Sequence, residues 1–416
     1  MGILNIFSRG LWSPTSNRDL VDSEKELLKG MKNVQTRDVI IDEVTGDYLH
    51  TIEIGVDAVD GDASTQEMDG AASSQPSARH SRAPLVIWPG FGMGGAGFGL
   101  SFPALSQKIG CERRVFTVDW LGYGLSSRPS WNAKTVPEAE SWFVEALEKW
   151  RAINGIDKMV LMGHSMGGYL SVAYSERYPE RVEHLILLSP CGLPKPPSAH
   201  EVAERRRNLP LRTRVVRSCF LSLWNTGASP QQAMRTLGPL GRAQVLHYPH
   251  RRFYENNQWT DSYTKEKLGE YLYHMAAAPG SGEHMLTTLM LPGAFAKAPL
   301  VERIPKLKVN HISFIYGKSD WMDCNAAEDA MRIIKGEDCV DNPTQVAKEA
   351  HGASEQPAVK ASPTDRDTNS DNGRLRVLKD KAFIVEKAGH QLYLDNPLAF
   401  VDAVVTSLNQ PNIVRT

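Results

Sequence analysis

"KMVLMGHSMGGYLSVAYSERYP", residues 158 to 179, decides how the rest of the chain is read. Its first half is a short apolar run ending at Gly163, which predicts a strand buried on both faces. Its second half carries apolar residues at helical spacing. The join is Gly163-His164-Ser165-Met166-Gly167. A serine whose Oγ must stand clear of a sheet edge sits in a strained turn, where Cβ atoms two positions to either side would collide. Glycine at both positions meets that demand, and Ser165 becomes the candidate nucleophile. The five letters alone are weak; the strand before them and the helix after them give them weight. His164 is expected to point away from Ser165 and to be structural.

Working outward, "PLVIW" (84–88), "RVFTVDW" (114–120), "HLILLS" (184–189), "HISFIYG" (311–317) and "KAFIVE" (381–386) are further compact runs rich in branched apolar residues. Segments near 136–154, 166–178, 325–335 and 397–408 have helical spacing. Strands alternating with helices imply an α/β layered sheet, mostly parallel. Residues 191–305 break the rhythm and are expected to form a helical cap over the strand ends. The core is thus expected in two parts, 19–190 and 306–416, with residues 1–18 a targeting or membrane-contact segment. Residues 57–82 and 341–373 are too poor in aromatic and branched side chains to offset their ordering entropy, and read as disordered loops.

Bulk properties narrow the classes. With 41% hydrophobic and 23% charged residues and a net charge of -1, the chain reads as globular, with no global charge to draw it to nucleic acid. Five cysteines (111, 191, 219, 324, 339) without a Cys-x-x-Cys pair argue for a reducing, intracellular compartment and against a zinc site. Neither a metal nor an organic cofactor is implied. No apolar run approaches the ~18 residues of a membrane span. "MGILNIFSRGLWSPTSNR" has two arginines and no acid, a composition that suits a mitochondrial transit peptide or a frayed apolar terminus equally.

Where the architecture uses a Ser–acid–His series, the order along the chain is Ser, acid, His. "FIYGKSDWMD" offers Asp320, three residues after its glycine, and Asp323 as a competitor; "IVEKAGHQLYLD" offers His390. Asp320 is favoured as the group that orients the imidazole. The Phe91 and Met166 N–H groups are the expected oxyanion donors. A different reaction class competes, because Gly90-x-Gly92-x-x-Gly95 follows a strand and Asp119 ends the next, as in a dinucleotide-binding oxidoreductase. That reading leaves Ser165, Asp320 and His390 unexplained.

His390 and Asp395, with four residues between, also spell the His-x4-Asp box of glycerolipid acyltransferases. Pro397 suits a first helical position with Asn or Asp just before it as cap, so capping is the favoured account of Asp395.

Together, "GHSMGGYL", "DWLGYGLSSRP", "YLYHMAAAPGSGEHML", "LPGAFAKAPLVERIPKL", "IYGKSDWMD" and "GHQLYLDNP" resemble the α/β-hydrolase subfamily 4/5 group. That group includes an N-acyl phospholipid lipase and a lipid-droplet lipase coactivator of animals; its fungal branch contains a mitochondrial cardiolipin-specific deacylase and lysophosphatidate acyltransferase-like proteins. The resemblance covers roughly residues 20–55, 84–340 and 375–410 and looks closest to the fungal branch. It implies the α/β-hydrolase fold and a mitochondrial setting. The implied activity is deacylation of phospholipid esters, with acyl-CoA-dependent acylation of lysophosphatidate as the alternative. Two departures matter: Pro89 stands where the family's loop has His, and Ser165 is kept where the coactivator has Asn.

Local charge points the same way. From Lys195 to Arg252 eleven basic residues, among them Arg205, Arg206, Arg207, Arg212, Arg214 and Arg217, face only Glu201 and Glu204, with Trp224 interleaved. Such a cap would seat an enzyme on an anionic phospholipid surface.

Overall fold

The structure, a computed structural model, describes residues 15–55, 82–207, 210–252, 261–337 and 375–415. The expected leader and most of the two expected disordered loops lie outside these residues.

The chain opens with α1 (Asn17–Leu27), whose Ser16 and Asp19 cap each other's backbone, and a hairpin of β1 (Val34–Asp42) and β2 (Asp47–Ile54). The core then alternates β3 (Leu85–Trp88), α2 (Phe102–Ile109), β4 (Val115–Val118), α3 (Val136–Ile153), β5 (Met159–His164), α4 (Met166–Arg177) and β6 (Val182–Leu188). The longest of these helices, α3, begins where the sequence supplies a start. Thr135 and Glu138 form a capping box for α3, and Pro137 fits its first turn.

Five helices follow: α5 (Ala199–Arg207), α6 (Leu211–Asn225), α7 (Pro230–Thr236), α8 (Pro239–Arg252) and α9 (Ser262–Ala277). A short α10 (Met285–Leu289) leads into a small hairpin, β7 (Met290–Leu291) with β8 (Phe295–Ala296), an addition to the expected helical cap. After α11 (Leu300–Arg303) the core resumes with β9 (His311–Gly317), α12 (Asn325–Lys335), β10 (Leu375–Val377), β11 (Phe383–Val385), α13 (Leu392–Asp395), α14 (Pro397–Asn409) and β12 (Ile413–Arg415).

All the described strands except β7 and β8 make one sheet in the order β1-β2-β4-β3-β5-β6-β9-β12-β10, with β11 also pairing β9. β4, β3, β5, β6, β9 and β11 run parallel; the antiparallel members lie at the ends. Every residue of β3, β4 and β5 is buried, as a sheet covered on both faces requires. β5 lies between β3 and β6, so whatever follows β5 emerges at the middle of the sheet's carboxyl edge, where open α/β sheets place their sites.

Candidate active site

Ser165 follows β5 directly and has φ 51° and ψ −114°, outside the basins an L residue ordinarily occupies. The glycines around it are demanded by space. A Cβ on Gly163 would come 2.3 Å from Gly167 O, and one on Gly167 would come 2.3 Å from Trp88 O. The turn is thus packed against the end of β3, and α4 starts immediately beyond the serine.

His390 lies past β11 and Asp320 past β9, both at the same edge of the sheet. His390 Nδ1 donates to Asp320 Oδ1 at 3.1 Å, and both side chains are nearly inaccessible. That bond leaves Nε2 as the free nitrogen. Burial would raise the Asp320 carboxyl, but the hydrogen bond and charge of His390, with the Met322 N–H at 2.9 Å, outweigh it and hold Asp320 below the usual carboxylate value. Asp323, the competitor, instead accepts the Asn325 N–H at 2.9 Å in an exposed turn before α12.

His164 links the serine turn to the histidine loop. Its Nε2 is 2.8 Å from His390 O, and the two imidazole centroids are 4.8 Å apart. A carbonyl can only accept, so Nε2 carries the proton. Burial, with the nearby His390 charge, pushes the His164 imidazole down to about 3, so it is neutral. The expectation of a structural His164 is met in a specific way: it holds the backbone of His390.

The loop after β3 passes over the serine. A Cβ on Gly90 would lie 2.6 Å from His164 Nδ1 and 3.1 Å from Ser165 Cβ, so only glycine allows the approach that brings the Phe91 amide near the nucleophile. Met166 is the first residue of α4, where a backbone N–H has no partner within the helix. Tyr123 supports this loop, a role the sequence did not disclose. Its hydroxyl accepts from Gly92 N at 3.0 Å and from Gln231 Nε2 of α7 at 2.6 Å.

Two expectations are corrected here. Asp119, offered as a ribose ligand, is 1% exposed, and its carboxylate accepts from Gly95 N at 2.7 Å and Leu125 N at 2.9 Å. Burial pushes its carboxyl up to about 6. It pins two loops together and has no face for a nucleotide, which removes the dinucleotide reading. Asp395 is not a helix cap; Asn396 is, accepting the Ala399 N–H at 3.3 Å. Asp395 Oδ2 accepts the Gly389 N–H at 2.8 Å and pairs with Arg252 of α8 at 2.8 Å.

The basic cap is also less bare than its composition implied. Lys195, Arg235, Arg242 and Arg252 pair with Glu302, Glu283, Glu270 and Asp395, acids from outside the counted stretch. Arg207, Arg212 and Arg214 are exposed, whereas Trp224 is half-buried and packs against the core rather than standing out as an anchor. The side chains of Arg205, Arg206 and Arg217 lie outside what is described. Among the described residues no group of His, Cys, Asp and Glu could hold a metal, and no helix is long and apolar enough to cross a membrane.

Fold and geometry together define an ester hydrolase built around an elbow serine. The chain belongs to the alpha/beta hydrolase fold family, which residues 83–235 match. It is 31% identical over 328 residues to a 1-acylglycerol-3-phosphate O-acyltransferase of Arabidopsis thaliana, covering 78% of this chain and 74% of that protein. It is 34% identical over 253 residues to the (lyso)-N-acylphosphatidylethanolamine lipase of Homo sapiens, covering 60% of this chain and 69% of that protein. A membrane phospholipase A described as a bacterial virulence factor shares the fold at a TM-score of 0.54 and 16% identity, over 94% of this chain and 91% of that one.

Proposed function

We propose that the protein deacylates glycerophospholipids at a membrane surface, through an acyl-enzyme on Ser165. The observation that carries this reading is the His390–Asp320 pair, set at the sheet edge from which the strained Ser165 projects. Ser165 Oγ adds to the acyl carbonyl as its proton passes to His390 Nε2, and Asp320 keeps the imidazole in the tautomer that can take it. The Phe91 and Met166 amides donate to the developing oxyanion. Collapse breaks the ester C–O bond, and His390 returns the proton to the departing lysolipid oxygen. Water then attacks the acyl-enzyme, giving up one proton through His390 to Ser165 and releasing the fatty acid.

A phospholipid substrate fits the names of the two relatives, one a 1-acylglycerol-3-phosphate O-acyltransferase and the other a (lyso)-N-acylphosphatidylethanolamine lipase. An anionic head group, cardiolipin among the candidates, fits the exposed Arg207, Arg212 and Arg214 of the cap. A second reading, acyl transfer to lysophosphatidate, is favoured by the name of the Arabidopsis relative. It uses the same acyl-enzyme with a lipid hydroxyl in place of water. The test is to incubate the protein and its Ser165→Ala variant with liposomes containing cardiolipin or phosphatidate, with and without lysophosphatidate and acyl-CoA. Serine-dependent release of fatty acid and lysolipid supports deacylation. Acyl-CoA consumption with new diacyl lipid supports the second reading, and full activity in Ser165→Ala overturns both.

A further inference from the structure

The acid of the His-x4-Asp box is occupied, and its partners come from two parts of the molecule. Asp395 Oδ2 takes the N–H of Gly389, the residue before His390, at 2.8 Å. The same oxygen meets Arg252 Nη2 at 2.8 Å, and the carboxylate side chain is only 9% exposed. Arg252 Nε also donates to Gln391 Oε1 at 3.1 Å, on the other side of His390. Gln391 Nε2 in turn donates to the Tyr248 hydroxyl at 3.2 Å, one turn back along α8. The two neighbours of His390 are therefore both tied to α8, one through Asp395 and one directly. Lys387, at the head of the loop, sits at φ 55°, a conformation uncommon for a residue with a side chain.

We propose that Asp395 and Arg252 are positioning residues for His390: the box exists to hold the histidine loop in register with the cap, and Asp395 takes no proton and touches no acyl acceptor. This rests on His390 being the base of the reaction proposed above. Both bonds converge on Oδ2, and with its side chain 9% exposed the carboxylate is committed to the loop backbone and to α8 rather than to open solvent. Loss of Asp395 frees Gly389, and loss of Arg252 removes both the ion partner of Asp395 and one of the two bonds that hold Gln391; a displacement of about 1 Å at a catalytic group costs on the order of 100-fold.

The test compares Asp395→Asn, Arg252→Gln and the double variant with the unaltered protein. It uses a water-soluble short-chain ester, the rate of covalent labelling by a fluorophosphonate, and the thermal midpoint. Expected are roughly 10- to 100-fold losses in kcat and in labelling rate with KM little changed. The double variant should be less impaired than the product of the two singles, since an amide pair replaces a broken ion pair. Arg252→Lys should restore part of the rate. Acyl transfer to lysophosphatidate, where measurable, should fall by the same factor as hydrolysis. The proposal is overturned if Asp395→Asn keeps full hydrolysis and labelling. It is equally overturned if Asp395→Asn loses transfer alone, or if Arg252→Gln lowers the thermal midpoint without changing kcat. A protein that is not labelled at all, or is labelled in Ser165→Ala, defeats the reading of the site itself and not the positioning of His390.

Discussion

Replacing Ser165 by glycine should remove the activity and make the protein more stable, whereas alanine should remove the activity and leave stability unchanged. The backbone at Ser165, with φ 51° and ψ −114°, is open to glycine and costly for any residue with a Cβ. Strain of this kind is worth about 1–3 kcal/mol. Glycine gives back about 0.5–1 kcal/mol of it, because its unfolded chain has more conformations to lose. At the middle of these ranges the net gain for Ser165→Gly is about 1 kcal/mol. Alanine keeps the Cβ, and with it the strain. The urea slope of about 1–3 kcal/mol per molar in small proteins grows with size, and at roughly 4 for a chain of this length the glycine variant should unfold about 0.25 M later than the alanine variant. The assay is urea unfolding of the three proteins, followed by tryptophan fluorescence at neutral pH. Equal midpoints for the glycine and alanine variants would mean that the elbow stores no strain, and that the glycines at 163 and 167 answer only to packing.

Asp320→Asn should lower kcat on the order of 10⁴-fold, because an amide no longer fixes the imidazole tautomer that leaves Nε2 free. Asp323→Asn should stay within about twofold, since its contact is a turn bond to Asn325 that an amide oxygen can also accept; the reverse order would exchange the two residues' roles. His50 supplies a pH prediction. Burial opposes its charge, yet Asp38 Oδ1 at 2.7 Å and Glu24 Oε1 at 2.8 Å push the imidazole up to about 10. A raised cation contributes stability that is fully present below its unfolded value, near 6.5, and is lost as pH rises through its folded value. Unfolding midpoints should therefore fall between pH 7 and 10, and His50→Gln should flatten that slope; an unchanged slope would place the proton elsewhere.

Much of the site was legible because its parts are local. Gly163, Ser165 and Gly167 belong to one turn, and their spacing follows from sterics that act within five residues. Five of the six apolar runs became β3, β4, β5, β6 and β9 because a strand covered on both faces needs a continuous apolar run; the sixth became β11, which leaves Ile384 exposed. The hairpin of β1 and β2 escaped, since β1 is largely exposed and shows alternation rather than a run. The choice of Asp320 over Asp323 needed the fold, because both precede the same helix and only one faces His390.

Where sequence reasoning went astray, the competing explanation was also a local one. Asp395, two residues before a proline, looked like a cap, and Asp119 after a glycine-rich loop looked like a ribose ligand. The window around Asp395 does not contain Arg252, 143 residues away, and Gly95, though read in one motif with Asp119, gave no sign that its amide meets the Asp119 carboxylate. The cap's positive charge suffered in the same way, since the acids that neutralise part of it come from outside the stretch that was counted. By itself, then, the sequence determined the layered α/β sheet, the strained serine turn and the residue types of the series, because backbone sterics and apolar periodicity act over a few residues. Only the tertiary structure decided which acid meets the histidine, which carboxylates are spent on backbone amides, and how the cap holds the His390 loop. A buried carboxylate takes whichever donors the fold brings within about 3 Å, and those are set by packing, not by distance along the chain.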